Sequence, residues 1–325
     1  MELKPWTYEE MPDYTDVPDG ANVIETSGDE AGTVYLPNVV YAQTPEGDLK
    51  LQILLPNSRN ASPIIGTPMT ANPDGTFPEG FFDANPAYPC VLHVQGSAWF
   101  PQNLYGKVGS LSKLAERGFV VALVEYRDSL RAKYPTPILD TLNAVRFMRK
   151  HARQYCVDPD RIVISGDSSG GHTAMMAGIW CKEDKGQNLY PDYSSAVSGI
   201  ISQYASGDFT FDDCNPSTDT HCTAQSPEGM EMGGVDMTPE QCRELTIRTH
   251  IHPETDLPPV LLFHGTKDRT VNTKCSVYLY ETLKACGKDV DFYLIKGADH
   301  GGSEFWTPQV IDIMEAFIRR VTSAQ

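Results

Sequence analysis

The segment that most constrains this chain is residues 162–172, of sequence IVISGDSSGGH. The β-branched apolar run Ile162–Ile164 predicts a buried strand, and the mostly apolar stretch His172–Trp180 predicts a helix. Ser168 lies at the turn between them, with a glycine two residues away on each side. Gly-x-Ser-x-Gly in this strand–turn–helix setting is typical of a nucleophile elbow. The glycines let neighbouring backbone pass close by, and the helix N-terminus favours developing negative charge.

The motif alone is a weak signal, because glycine and serine are common residues. A glycine-rich turn that only connects a strand to a helix would have the same sequence pattern. A serine nucleophile also needs a general base and a group that orients the base. The presence of such partners elsewhere in the chain therefore decides between the two interpretations.

Net charge and apolar content exclude two classes of partner. The formal charge of −17 leaves no basic patch for phosphate groups, so nucleic-acid binding is not expected. No segment approaches the ~18 apolar residues that a membrane span needs, so no membrane association is expected. The first ten residues lack the apolar stretch of a secretory signal, which predicts a cytoplasmic location.

Eight cysteines are scattered along the 325 residues, without a Cys-x-x-Cys pair. In a cytoplasmic chain of this length, most of them are expected to be reduced thiols packed in the core. Cys214, Cys222 and Cys242 share one irregular segment, and a disulfide among these three stays open.

Apolar strands alternate with amphipathic helices along most of the chain. This alternation predicts an α/β fold with a mostly parallel central sheet and helices on both faces. We expect a single domain over residues 1–325. Residues 56–89 are rich in Pro, Asn, Gly and Ser, which predicts a long loop, and residues 205–257 interrupt the alternation, which predicts a lid or cap between two core strands. The predicted strands are 34–41, 49–55, 90–94, 119–124, 161–165, 197–204, 259–263 and 291–295, and the predicted helices are 108–117, 136–151, 168–180, 239–249, 271–285 and 305–322.

Two later strand ends supply the partners that Ser168 needs. The strand at 259–263 leads to Asp268, and the strand at 291–295 leads to His300. Because the carboxyl ends of parallel strands meet at one edge of a sheet, these side chains are expected to lie near the serine. Asp268 would hold the His300 imidazole in the required tautomer, and His300 would take and return the Ser168 proton.

Other histidines and acids are weaker candidates. His264 falls within a strand end and is expected to be a buried hydrogen-bonding residue. Asp167 and His172 flank the elbow and are expected to support it locally. The pair His250 and His252 could chelate a metal ion, but no third ligand is evident. We therefore expect no metal and no organic cofactor.

A tetrahedral oxyanion needs at least two N–H donors. The amide of Ser169, next to the nucleophile, is one candidate. The loop after the 90–94 strand has the sequence QGSAW at 95–99, and the amides of Gly96 and Ser97 are predicted to supply the others. The alternative for this loop is a plain turn into the next helix.

These motifs together resemble the α/β-hydrolases of the hormone-sensitive-lipase-like esterase group. Within that group they are most similar to the bifunctional feruloyl and acetyl-xylan esterases of plant-biomass-degrading bacteria. The resemblance covers roughly residues 34–323. It is carried by VQGSAW at 94–99, DPDRI at 158–162, GDSSGGH at 166–172, LPPVLLFHGTKD at 257–268 and HGGSEFW at 300–306.

The resemblance implies a serine carboxylester hydrolase that removes acetyl or feruloyl groups from plant carbohydrate esters. It implies a small-molecule or oligosaccharide ester as substrate, and it allows a homo-oligomer, because members of the group often associate. One departure concerns residues 95–98, which are Gln-Gly-Ser-Ala where the wider group has His-Gly-Gly-Gly. Backbone donors survive this change, but the added β-carbons would narrow the site.

Four aromatic residues flank two of the predicted catalytic loops: Trp99, Phe100, Phe305 and Trp306. Pockets and cores both favour aromatic side chains. These residues either form a rim that stacks a sugar or feruloyl ring, or they fill the core. The candidates for the rim are above all Trp99, Phe100 and Trp306.

Two other functions stay open. A serine peptidase or amidase of the prolyl-oligopeptidase type would use the same order of catalytic residues, although the chain has no propeller-sized N-terminal region. A catalytically silent hydrolase fold could act as a binding protein, although the intact set Ser168, Asp268 and His300 argues against that.

Overall fold

The computed structural model describes residues 10–27, 30–58, 86–183, 185–186, 188–210 and 217–323. Within these residues, eight strands form one sheet. The strands are β1 (Ala31–Thr44), β2 (Gly47–Ser58), β3 (Tyr88–Val94), β4 (Val120–Val124), β5 (Val157–Asp167), β6 (Gly199–Gln203), β7 (Val260–Gly265) and β8 (Val290–Ile295).

The sheet has the strand order β1-β2-β4-β3-β5-β6-β7-β8. Strands β3 to β8 pair in parallel, and β2 pairs antiparallel with both β1 and β4, so β2 alone runs in the opposite direction. The carboxyl ends of β3, β5, β6, β7 and β8 consequently lie side by side at one edge of the sheet. Loops that leave this edge can bring their side chains together.

Seven α-helices accompany the sheet in the described residues. They are α1 (Val108–Ala115), α2 (Thr136–Lys150), α3 (Ser169–Trp180), α4 (Pro227–Glu231), α5 (Pro239–Leu245), α6 (Lys274–Ala285) and α7 (Pro308–Thr322). Short 3₁₀ segments lie at Arg153–Tyr155, Ile247–His250 and Ser303–Trp306.

Two apolar cores cover the two faces of the sheet. Side chains of α2, α3 and α6 contribute to one core, and side chains of α1 and α7 contribute to the other. Every residue of β4, β6 and β7 is buried. Because both faces of these strands are covered, β4 is a continuous apolar run and β7 begins with one, rather than alternating apolar and polar residues. The predicted mostly parallel sheet with helices on both faces is thus confirmed.

Several boundaries differ from the predicted ones for local reasons. The helix predicted from residue 271 begins at Lys274, because the amides of Thr270 and Val271 bind the Asp268 carboxylate instead of entering a helix. The helix predicted from residue 305 begins at Pro308, where the Thr307 hydroxyl caps it. Most of the loop predicted at 56–89 lies outside the described residues, and its two ends belong to β2 and β3.

The chain between β6 and β7 contains α4, α5 and the 3₁₀ segment Ile247–His250. The five-residue helix α4 was missed at the sequence level, since it is short and contains a glycine. Two hydrogen bonds within this segment and one from α3 organise it. The amide of Ile247 donates to Gly207 O at 2.9 Å, Phe209 N donates to Thr246 Oγ1 at 2.9 Å, and His172 Nε2 donates to Leu245 O at 2.7 Å.

A buried carboxyl group lies at the end of α4. Glu231 is 1% exposed, and its Oε2 atom has no hydrogen-bond partner among the described residues. Burial raises the pKa of Glu231 to about 8, although the nearby Lys133 ammonium partly opposes this shift. The folded chain therefore favours the protonated form of this carboxyl group at neutral pH.

Gly170 marks the closest approach of α3 to β3. A β-carbon at this position would lie 2.1 Å from the carbonyl oxygen of Val94. We expect Gly170→Ala to lower the free energy of unfolding by about 1–3 kcal/mol, because backbone on both elements must move. The control Gly109→Ala adds a β-carbon that meets nothing within 4 Å and is expected to be neutral or slightly stabilising. Urea unfolding of both variants measures the difference, and equal stabilities would contradict the close approach.

The raised pKa of Glu231 predicts a pH dependence of stability. The unfolded chain loses this proton near its ordinary pKa, whereas the folded chain keeps it up to about pH 8. The free energy of unfolding should therefore fall as pH rises between these values, by on the order of 1 kcal/mol per pH unit. Glu231→Gln should flatten this slope in urea unfolding between about pH 6 and pH 8. The exposed control Glu254→Gln should keep the wild-type slope, and an unchanged slope in Glu231→Gln would refute the assignment.

Candidate active site

Ser168 follows the last residue of β5 in a backbone conformation with φ 53° and ψ −128°. This conformation is strained for a residue that carries a β-carbon. Hydrogen bonds on both sides hold it: Ser168 N donates to Gln203 O at 2.9 Å, and Ser168 O accepts from His172 N at 3.1 Å and Ser206 N at 3.4 Å. The strain presents the hydroxyl at the carboxyl edge of the sheet.

The structure brings Ser168, His300 and Asp268 into one line of hydrogen bonds. The Ser168 hydroxyl donates to His300 Nε2 at 2.8 Å, and His300 Nδ1 donates to Asp268 Oδ2 at 2.8 Å. The His300 side chain is 18% exposed and the Asp268 side chain is 0% exposed. A neutral imidazole in this tautomer can accept the serine proton on Nε2.

The Asp268 carboxylate is fully occupied by donors. Its Oδ1 accepts the amides of Thr270 at 2.9 Å and Val271 at 2.8 Å, and its Oδ2 lies 3.1 Å from His264 Nε2. Burial alone would raise the pKa of Asp268, but the hydrogen bonds from His264 and His300 lower it well below its usual range. The group is therefore ionised when it orients His300. His264 contributes here as a buried donor, which agrees with its expected structural role.

Asp167, the residue before the serine, is a second buried carboxylate, 4% exposed. Its Oδ1 accepts from His93 Nε2 and from the amide of Gly96, each at 3.1 Å. Its Oδ2 accepts from Lys107 Nζ and from the Tyr204 hydroxyl, each at 3.1 Å. Burial would raise the pKa of Asp167, but His93 and Lys107 lower it well below its usual range. One charged group thus connects the ends of β3, β5 and β6.

Tyr204 connects the Asp167 carboxylate to the imidazole of His300. Its ring contacts the His300 ring edge to face, with centroids 4.9 Å apart. The backbone of Tyr204 has φ 37°, and its amide donates to Phe263 O at 2.7 Å. Tyr204 is anchored through its hydroxyl and through its amide. Its ring therefore fixes the position of one side of the His300 imidazole.

The loop at residues 95–99 differs from the prediction for the oxyanion donors. The Gly96 amide donates to Asp167 Oδ1, so this prediction is corrected: the donor is already used by a buried carboxylate. The Ser97 amide donates to Ser169 Oγ at 3.0 Å. The amides of Ala98 and Ser169 have no acceptor among the described residues.

Sequence reasoning missed Ala98. Its φ is 54°, and the next residue, Trp99, has φ 57°. Positive φ is uncommon for residues that carry a β-carbon, and the conformation is held here because the amides of Ser97 and Trp99 donate to Ser169 Oγ. An alanine gives no sequence signal for this conformation. The one available signal was that Ala98 corresponds to the last glycine of the His-Gly-Gly-Gly pattern, since glycine adopts positive φ readily.

The Ser169 hydroxyl organises this loop from the elbow side. It accepts the amides of Ser97 at 3.0 Å and Trp99 at 3.2 Å. The Ser97 hydroxyl in turn donates to Phe100 O at 2.5 Å and accepts from the Tyr126 hydroxyl at 3.0 Å. Two serine hydroxyls therefore hold the backbone of residues 97–100.

The aromatic residues do not form an open rim. Trp99 is 2% exposed and packs on His172 and Phe209, with ring centroids 5.3 and 6.5 Å away. Trp306 is 4% exposed and belongs to the core on the α1 and α7 face. The substrate-binding prediction is therefore corrected for these two indole rings, which are buried, and only Phe100 is partly exposed.

The described residues also bear on metal binding and membrane spanning. They contain no group of three or more His, Cys, Asp or Glu side chains arranged to hold a metal ion. No helix among them has the length and apolar character needed to cross a membrane.

Comparison with known proteins identifies the family of this chain. The BD-FAE family model matches residues 82–283, and the chain belongs to that family. The match includes Ser168 and Asp268 and ends before His300. Among curated proteins, the chain is 27% identical over 212 residues to the "Probable carboxylic ester hydrolase LipM" of Mycobacterium tuberculosis, covering 63% of this chain and 47% of that protein. The chain spans about half the length of the curated relatives it matches.

Two solved structures share the architecture. A "Truncated form of carbohydrate esterase from gut microbiota" superposes with a TM-score of 0.71 at 22% identity, covering 92% of this chain and 99% of that one. A "Bifunctional GH43-CE" from Bacteroides eggerthii superposes with a TM-score of 0.70 at 26% identity, covering 92% of this chain and 36% of that one. The fold of this chain is the α/β-hydrolase fold, as the resemblance implied.

The contacts of Asp167 predict a positioning role that can be measured. Asp167→Asn keeps the shape but removes the charge that holds Lys107 and His93. We expect kcat for an activated ester to fall about tenfold to a hundredfold, because small misplacements at a reacting centre cost about that much, while KM changes less. Asp160→Asn, an exposed substitution at the start of the same strand, is the control. Equal kcat in the two variants would show that Asp167 does not position the site.

Proposed function

We propose that this protein is a serine carboxylester hydrolase that removes acetyl or feruloyl groups from plant carbohydrate esters. The observation that carries the proposal is the continuous line of two 2.8 Å hydrogen bonds from Ser168 through His300 to Asp268. Ser168 is the nucleophile, His300 the general base and acid, and Asp268 the group that orients the imidazole.

The first half of the reaction forms an acyl-enzyme. The Ser168 oxygen attacks the ester carbonyl carbon, and its proton passes to Nε2 of His300. The ionised Asp268 stabilises the imidazolium that results. When the tetrahedral intermediate collapses, the bond from carbon to the alcohol oxygen breaks and His300 returns the proton to the departing alcohol.

The second half releases the acid. A water molecule gives a proton to His300 and attacks the acyl carbon, and the Ser168 oxygen leaves with the proton that His300 returns. The products are a carboxylic acid and the unmodified enzyme. All proton transfers use the same Nε2 atom, so the proton transfers require only these three residues and water.

The developing oxyanion is assigned to the amides of Ala98 and Ser169. Both lack an internal acceptor among the described residues, and Ser169 is the first residue of α3, where the helix dipole favours negative charge. The amide of Ser97 joins them where its bond to Ser169 Oγ lengthens. Gly96 supports the loop through Asp167 rather than through the substrate.

The choice of ester is supported by relatives. The name of one solved structure contains "carbohydrate esterase", that of the other is "Bifunctional GH43-CE", and that of the mycobacterial relative contains "carboxylic ester hydrolase". Membership of the BD-FAE family agrees with that class. A panel of acetylated xylo-oligosaccharides, methyl ferulate, simple esters of increasing acyl length and a peptide amide tests it. Cleavage of the carbohydrate esters but not of the amide is expected, and preference for the amide would favour a peptidase instead.

Loss of the nucleophile gives the sharpest activity test of the assignment. Ser168→Ala should lower turnover of p-nitrophenyl acetate by on the order of 10⁴-fold or more, because no hydroxyl remains for the acyl group. Ser194→Ala changes an exposed serine near the opposite edge of the sheet and should retain wild-type turnover. Retained activity in Ser168→Ala would overturn the proposed mechanism.

A further inference from the structure

Two cysteine side chains lie in contact in the segment between β6 and β7. The sulfur atoms of Cys222 and Cys242 are 3.8 Å apart, and both residues carry thiols in the structure. Cys242 lies on α5, and Cys222 lies in the loop before α4 with φ 58°. They are separated by 20 positions in the sequence. The contact between Cys222 and Cys242 is therefore made by the tertiary fold and not by one helix or turn.

Cys222 shares a small cavity with residues that contact Ser168 and Asp268. Cys222 Sγ is also 3.9 Å from Phe209 O, and Cys222 lines a small cavity with Phe209 and Val271 among others. The amide of Val271 binds the Asp268 carboxylate. On the other side, Thr246 Oγ1 donates to Cys242 O at 2.7 Å and accepts from Phe209 N at 2.9 Å. Cys222 thus contacts Phe209 and Cys242 contacts Thr246, and Phe209 and Thr246 are hydrogen-bonded to each other.

We propose that Cys222 and Cys242 are a redox modification site, at which a small-molecule disulfide such as oxidised glutathione forms a reversible cross-link. Cys222 is partly exposed, whereas Cys242 is 9% exposed. The Cys222 thiolate attacks one sulfur of glutathione disulfide and releases one glutathione thiolate. The Cys242 thiolate then attacks the Cys222 sulfur of the mixed disulfide and releases the second glutathione. Two protein thiols lose two electrons and two protons, and one glutathione disulfide becomes two thiols.

The other described cysteines are placed less well for this exchange. Cys90, Cys156 and Cys181 are buried in the core against α2 and α3. Cys275 is buried with its sulfur 3.9 Å from Asp208 O, and Cys286 is partly exposed with its sulfur 3.7 Å from Ile251 O. The sulfur-to-sulfur contact is found at Cys222 and Cys242.

The cross-link would close a loop that contains all of α4 and join it to α5. A disulfide of this kind restricts the unfolded chain and opposes opening of the loop in the folded one. The segment beside the triad would therefore be held more firmly under oxidising conditions and released under reducing ones.

The cross-link can be mapped on the full chain with two proteases. Protein equilibrated in glutathione buffers from reducing to oxidising is alkylated and digested. Trypsin alone leaves Cys214, Cys222 and Cys242 in one peptide, because the chain has no Lys or Arg from 186 to 242. Asp-N also cleaves before Asp213, Asp219 and Asp236, which separates the three cysteines into the peptides 213–218, 219–235 and 236–243.

We expect the oxidised sample to contain peptide 219–235 linked to 236–243, and dithiothreitol to separate them. Oxidation should raise the thermal midpoint by about 4 °C or more in wild type, an effect absent from Cys222→Ser and Cys242→Ser. Cys286→Ser, which changes a partly exposed thiol elsewhere, should behave as wild type. Linkage of either peptide to 213–218, or independent glutathionylation without a cross-link, would overturn the proposal.

Discussion

The buried carboxylate of Asp167 is the interaction on which the candidate site depends. It lies at the end of β5 and accepts hydrogen bonds from His93 on β3, from the loop amide of Gly96 and from Tyr204 after β6. A charge with 4% exposure is tolerated only where donors surround it, so the three strand ends must stay in register for the chain to bury it. The position of the elbow follows from that register. The strained backbone of Ser168 is then maintained by neighbours on both sides rather than by local preference.

A second carboxylate, Asp268, sets the orientation of the base. Two amides and two imidazoles donate to it, which keeps the group ionised and leaves it no freedom to rotate. Tyr204 joins the two systems, since its hydroxyl binds Asp167 and its ring packs on His300. The proposed nucleophile, base and oxyanion loop are consequently parts of one network of contacts across β3 to β8. Such preorganisation would reduce the rearrangement needed when charge develops in the proposed ester attack.

The sequence predicted those parts of the molecule that depend on chain order and strand ends. Ser168, Asp268 and His300 each follow an apolar strand, and parallel strands end at one edge, so their proximity could be expected. The direction of the amides at 95–99 could not be predicted, because it depends on positive φ at Ala98 and Trp99 and on acceptors more than 60 residues away. The burial of Trp306 could not be predicted either, since an aromatic residue after a catalytic loop suits a pocket and a core equally well. The short helix α4 carries a glycine and lacks the apolar periodicity that a sequence pattern needs.

The central claim is that Ser168 is a nucleophile activated by His300. Labelling with a fluorophosphonate probe, followed by peptide mapping, tests this claim without knowledge of the natural ester. The account predicts modification at Ser168 in the wild-type protein and a labelling rate lower by orders of magnitude in His300→Ala. Failure of the wild-type protein to react, or modification of Ser169 in place of Ser168, would contradict it.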